Sequence, residues 1–109
     1  MKNKIVNGEA IDFIEALNGI YRKTLAYNDN LMLCYFMLHK GSEVPVHSHK
    51  EHQVGYVLKG KLKFITDNGS FIVKEGDSYV FDSFENHGAI ILEDSNVIDV
   101  FNPPREDYK

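Results

Sequence analysis

The chain has 109 residues, 43% of them hydrophobic and 26% charged, the size and balance of one globular domain. Its formal net charge is −4, with 12 Lys and Arg scattered among 16 Asp and Glu, which excludes the clustered basic surface of a nucleic-acid or anionic-membrane binder. A single cysteine, Cys34, excludes an intrachain disulfide, and its neighbours Leu33 and Tyr35 predict a buried thiol rather than a nucleophile.

From the N-terminus, Met1-Lys-Asn-Lys is followed only by Ile5-Val6 before Asn7, Gly8 and Glu9. That apolar run is too short for a signal peptide, and no later run approaches a membrane span, so the expected location is the cytoplasm. Residues 9–17 admit two readings: Ile11, Ile14 and Leu17 fit a short helix, whereas Ala10 to Ile14 also fits a strand. From Gly19 onward the chain is a series of short β-like runs, predicted over residues 20–27, 31–38, 53–58, 62–66, 71–74, 79–81, 89–92 and 97–101. Turn-forming residues separate them: Asn28-Asp29-Asn30, Lys59-Gly60-Lys61, Asp67-Asn68-Gly69 and Glu75-Gly76-Asp77. This spacing predicts an antiparallel sandwich or barrel. The run from Leu31 to Leu38 is apolar on both faces, so it is either central and covered on both sides or part of a subunit contact, and the second option predicts a homodimer. Pro103-Pro104 ends the last strand. With no repeat, low-complexity region or linker, one domain is expected over residues 1–109, with a central portion at 41–91 and a C-terminal strand and tail at 96–109.

The stretch from Gly41 to Gly60 organises the rest. His47-x-His49 is followed four residues later by Gln53, and in extended backbone these three side chains share one face. Two imidazoles one strand period apart can chelate a single ion, which predicts a metal site inside a β-structure. Gly41-x5-His47-x-His49-x3-Gln53-x6-Gly60 resembles the first motif of the cupins, with Gln in place of the usual Glu. Gly76-x5-Asp82-x-Phe84-x2-His87 resembles their second motif in its Gly and His, with Asp82, Phe84 and Ile91 where that motif has Pro, Gly and Asn. The resemblance implies an all-β, single-domain jelly-roll barrel, the double-stranded β-helix, with His47, His49, Gln53 and His87 converging on one divalent metal ion. His39 stands outside this pattern. His52 neighbours Gln53 and is expected on the opposite face, at the surface or in a subunit contact.

The tail Asp99-Val-Phe101-Asn-Pro-Pro-Arg105, together with His-x-His-x3-Gln-x-Gly-Tyr, is similar to the pectin-degradation cupins of the KdgF type. The resemblance implies Gln53 as fourth ligand and Asp99, Phe101 and Arg105 at a substrate site. The implied reaction converts cyclic 4,5-unsaturated uronic acids into the linear 4-deoxy-5-keto form, so the implied partner is a small anionic sugar acid. Lys50-Glu51-His52 replaces a Pro-His-Glu-like run of that family. Three imidazoles and an amide are neutral, so a bound ion keeps its full charge and favours Lewis-acid chemistry on an acidic substrate. The donor set does not choose among zinc, nickel, iron, manganese and copper. Glu51 has the strand parity of a substitute carboxylate ligand. Asp99 and Phe101 share a strand face, which makes Asp99 a general acid/base candidate and Arg105 a partner for the sugar carboxylate. Simpler readings stand beside these: Gln53 satisfying buried polar groups, Asp99 bridging backbone at a strand end, Phe101 as core, Arg105 paired with Glu106, and Tyr108 packed near the terminus. A small metal-dependent dioxygenase and a non-catalytic binder of a sugar or small acid are the alternative functions.

Overall fold

Alternating apolar side chains between turn formers build ten strands, which the computed structural model arranges in two antiparallel sheets; it describes residues 5–109. The first four residues of the segment weighed as a leader lie outside the described residues. The strands are β1 (Ile14–Leu17), β2 (Ile20–Tyr27), β3 (Met32–Leu38), β4 (Glu43–His47), β5 (His52–Lys59), β6 (Lys61–Thr66), β7 (Gly69–Lys74), β8 (Ser78–Phe81), β9 (His87–Ile91) and β10 (Ser95–Asn102). One sheet has the order β1-β2-β3-β10-β5-β8 and the other β4-β9-β6-β7. The all-β jelly-roll expectation is met.

The undecided segment at residues 9–17 contains both a turn and a strand. A short 3-10 turn at Gly8–Ala10 is capped by Asn7, whose side chain accepts from Glu9 N. β1 follows as the exposed edge of the larger sheet, paired with β2 through Ile14 and Arg22. At the tip between β2 and β3, Asn28 Oδ1 accepts from the backbone of Asn30 and Leu31 at 2.8 and 2.9 Å, the use expected of Asn in a turn.

The two sheets close on one core. Ile20, Leu38, Val57 and Val97 from the larger sheet meet Leu62, Phe64, Ala89 and Ile91 from the smaller. A second cluster, Met32, Cys34 and Phe101, fills the end of the larger sheet and is joined by Tyr27, Phe36 and Tyr108. Cys34 is fully buried, and burial pushes its thiol up to about 11, so the inert reading of this cysteine holds.

β3 lies between β2 and β10, but its outward residues Leu33, Tyr35 and Met37 remain only half-buried. It is therefore central without being covered on both faces. The same outer surface carries Ile98 and Val100 of β10, Val54, Tyr56 and Leu58 of β5, and Val80 of β8.

Candidate metal centre and its cavity

His47 does not share a strand with Gln53. It ends β4 in the smaller sheet, a turn follows over residues 48–51, and Gln53 lies on β5 in the larger sheet. The three residues meet because the chain changes sheets between them, not because one extended segment presents them together. His87 completes the group from the start of β9, directly opposite His47 in the β4–β9 register. One ring nitrogen from each of His47, His49 and His87 lies within 4.8 Å of the other two.

Each imidazole is held by a main-chain carbonyl. His47 Nδ1 lies 2.9 Å from Pro45 O, His49 Nδ1 2.9 Å from Glu51 O, and His87 Nδ1 2.8 Å from Glu85 O. With Nδ1–H donating to these carbonyls, the three Nε2 lone pairs are free to act as ligands. The Phe81 ring stacks on His87 at 4.3 Å and 9°, fixing its plane, and the Phe101 edge meets His49 at 5.8 Å. Burial lowers the pKa of His49 and takes that of His87 down to about 4, so both rings stay neutral at physiological pH.

These donors fit a divalent ion. Gln53 Oε1 lies 3.1 Å from His49 Nε2, and with His49 Nδ1–H engaged, two acceptors face each other there. A shared cation turns that opposition into attraction. Glu51 does not act as the substitute ligand its parity suggested. Its carboxylate sits 3.5 Å from His49 Nδ1, behind the ring, because the turn at residues 48–51 breaks the strand alternation on which parity depends. His52 is exposed and accepts from Ser83 N at 3.2 Å, in keeping with its surface assignment.

A cavity of about 640 Å³ opens beside this group and is bordered by His47, His87 and Gln53. Along β10 the side chains alternate so that Asp99 and Phe101 face inward with Val97 and Ser95. Asp99 is only 4% exposed, and Tyr79 Oη donates to its Oδ1 at 2.7 Å. Burial raises the carboxyl to about 6, with hydrogen bonding from Tyr79 and Gln53 holding it back from a larger shift. Gly55, opposite Asp99 on β5, leaves the room: a Cβ there would collide with the Asp99 carboxylate and the Tyr79 ring.

Arg105 also lines the cavity, with its guanidinium 4.1 Å from the Tyr108 ring and 5.5 Å from Phe101. Its ion pair is with Asp107 at 3.4 Å rather than with Glu106, which binds Lys109. Phe101 is 1% exposed and serves both readings, as core and as cavity wall. Sequence reasoning missed Tyr79 and Arg22, which line the same cavity. The available signal was parity: Tyr79 alternates with buried Phe81 and Arg22 with buried Ile20, so each occupies an inward position.

Residues 34–101 match the cupin domain family model. Over 93 residues the chain is 36% identical to the pectin degradation protein KdgF of Dickeya dadantii (strain 3937), covering 84% of each chain. Among solved structures, KdgF from a Halomonas species superposes with a TM-score of 0.91 at 30% identity, over 99% of this chain and all of that one. An RmlC-like cupin from Shewanella frigidimarina gives a TM-score of 0.92 at 30% identity, over 99% and 97%.

Proposed function

The chain belongs to the cupin family, and from that premise we propose that it is a metal-dependent enzyme of pectin degradation that opens and ketonises cyclic 4,5-unsaturated uronates to linear 4-deoxy-5-keto uronates. One observation supports this above others: a cluster of neutral donors and a buried carboxyl whose pKa lies near 6 border the same cavity.

His47, His49, His87 and Gln53 would hold the ion, which when bound supplies Lewis acidity toward a substrate oxygen, undiminished by any anionic ligand. Asp99 carries the proton. As the carboxylate it accepts the proton of the anomeric hydroxyl; the bond between the anomeric carbon and the ring oxygen breaks, and its electron pair goes to that oxygen. An aldehyde and an enolate result. Asp99, now protonated, returns the proton to the enolate carbon and leaves the ketone, so the reaction is an isomerisation with no atom gained or lost. A carboxyl titrating near neutrality suits both halves. Tyr79 orients it, Phe101 walls the sugar, and Arg105 pairs with the sugar carboxylate.

Purified protein of known metal content, mixed with lyase-generated unsaturated galacturonate or guluronate and followed by time-resolved NMR, tests the reaction. Loss of the cyclic signals should be accelerated by the metal-replete protein and not by chelated or His47→Ala protein. A metal-replete rate equal to the spontaneous one retires the reaction; oxygen uptake and sugar binding then separate a dioxygenase from a non-catalytic binder. The same proposal takes the chain as a homodimer that meets its partner through the outer apolar face of the larger sheet, and as a cytoplasmic protein; among the described residues no helix is long and apolar enough to cross a membrane.

A further inference from the structure

Arg22 is 8% exposed, and among the described residues it has no ion-pair partner. Its Nε is buried without a hydrogen-bond acceptor, and the Nε of Arg105 shares that condition. The two guanidiniums are linked by one ring: Arg22 Cζ lies 3.9 Å and Arg105 Cζ 4.1 Å from the centre of Tyr108. Tyr108 is itself fixed, with its carbonyl accepting from Thr24 Oγ1 at 2.6 Å and its ring edge-on to Phe101 and Phe36.

Stacking satisfies the face of a guanidinium but not the N–H donors in its plane. The buried Arg22 and the half-buried Arg105 are like charges against one ring and repel each other, and the Asp107 carboxylate offsets only Arg105. All three side chains line the cavity that also borders His47 and Gln53. Phe101 touches both ends of this arrangement, His49 at 5.8 Å and Tyr108 at 5.6 Å.

We propose that Arg22 and Arg105, spaced by Tyr108, form a two-armed clamp for the carboxylate of a small sugar acid, with Arg22 as a substrate-binding residue. A carboxylate in the cavity meets the Nη donors of the two forks and supplies the missing negative charge, which relieves the buried, acceptor-poor guanidiniums together. The substrate is thereby read at both ends, its carboxylate by the arginines and its reacting oxygens at the histidine cluster. This assignment rests on the proposed uronate reading for its choice of ligand, but it is tested by binding alone.

The probe is D-galacturonate, a saturated acid that cannot ketonise, with D-galactose as its uncharged counterpart, each titrated calorimetrically into the metal-loaded full chain. Wild-type protein should prefer the acid, and Arg22→Gln should lose roughly 10- to 100-fold in affinity for galacturonate while binding galactose as before. Wild-type protein without that preference, or an Arg22→Gln variant that keeps it, overturns the clamp. If Arg22→Gln does not fold, the Nε–H resonance of Arg22 in wild-type protein decides. It should shift with galacturonate and not with galactose, and a resonance indifferent to the acid overturns the assignment. On unsaturated uronate the arginine variant should raise KM far more than it lowers kcat. Galacturonate binding through Arg22 without turnover would leave the clamp standing and remove the reaction; turnover with Arg22 indifferent would do the reverse.

Discussion

In the proposed reaction Asp99 carries the proton, and its burial makes the same side chain a stability cost. Asp99→Asn keeps the shape and the Tyr79 hydrogen bond but removes the proton carrier. Metal content should be unchanged and kcat on unsaturated uronate should fall by about 10²–10⁴; unchanged turnover would remove Asp99 from the mechanism. The variant should also be the more stable protein at neutral pH. The folded carboxyl titrates at about 6 against an ordinary 3.8, so the native state binds the proton more tightly than the unfolded chain. The associated stability is present below pH 3.8 and is lost as pH rises through about 6. His87 works in the opposite sense: its folded pKa of about 4 lies below the ordinary 6.5, so its contribution is present above 6.5 and disappears as pH falls toward 4. In metal-free wild-type protein the two slopes oppose each other. Metal-free Asp99→Asn should therefore unfold with a higher thermal midpoint than wild type at pH 7, a gain in stability on the order of 1–3 kcal/mol, and show no advantage below pH 4. An advantage independent of pH would contradict this assignment of the proton.

At the scale of elements, the histidine cluster depends on how closely β4 and β9 approach. Gly88 makes the approach possible, since a Cβ there would stand 2.8 Å from Val44 O and 2.9 Å from Val46 N. Gly88→Ala pushes against backbone, so β4 must move and take His47 with it. Metal affinity should fall at least tenfold, measured by competition with a chromophoric chelator, along with about 1–3 kcal/mol of stability. Retention of full affinity would show that the cluster tolerates strand displacement. The loop before β9 holds a different kind of strain. Phe84 takes the left-handed backbone conformation at φ 62° and leaves its ring 67% exposed, where the cupin motif usually has Gly. Its N–H donates to His49 O at 2.7 Å, which ties the strained residue to the segment that carries His49. Phe84→Gly should raise stability by about 0.5–1 kcal/mol, the left-handed penalty less the entropy of glycine, read as a midpoint a few degrees higher. Most strands were legible in the sequence because alternation and turn residues are local signals. β4 was not, for it is five residues long, mostly exposed, and carries Pro45 at its centre.

For the whole molecule, the outer face of the larger sheet sets the expectation. Val54 and Val80 are 48% and 64% exposed and stand opposite each other in the β5–β8 register, next to Tyr56 and the half-buried residues of β3 and β10. Light scattering should give twice the 12.5 kDa chain mass, and a Val54→Lys, Val80→Lys double variant should give the single mass with its metal retained. A monomeric wild-type protein would remove the dimer. The candidate site divides along similar lines in what could be read beforehand. His47, His49, Gln53 and His87 were legible because they belong to two spaced motifs, and Asp99, Phe101 and Arg105 because they lie together in one tail. Arg22 and Tyr79 were not, because their place beside Tyr108 and Asp99 comes from strand order across the sheet, β2 beside β3 beside β10 for Arg22 and β8 beside β5 beside β10 for Tyr79, which no local pattern encodes.

The carbonyls of Pro45, Glu51 and Glu85 that hold the three imidazoles also bear on how the centre can change over time. A carboxylate support could be exchanged for an amide or a hydroxyl by a single substitution, and selection could thereby adjust the basicity of the ligand it touches. A peptide oxygen offers no such handle, because every amino acid supplies the same one. Drift in the supports of these imidazoles is accordingly buffered, and Glu51, whose side chain shares His49 Nδ1 with the main chain, is where a substitution can adjust the basicity of a ring.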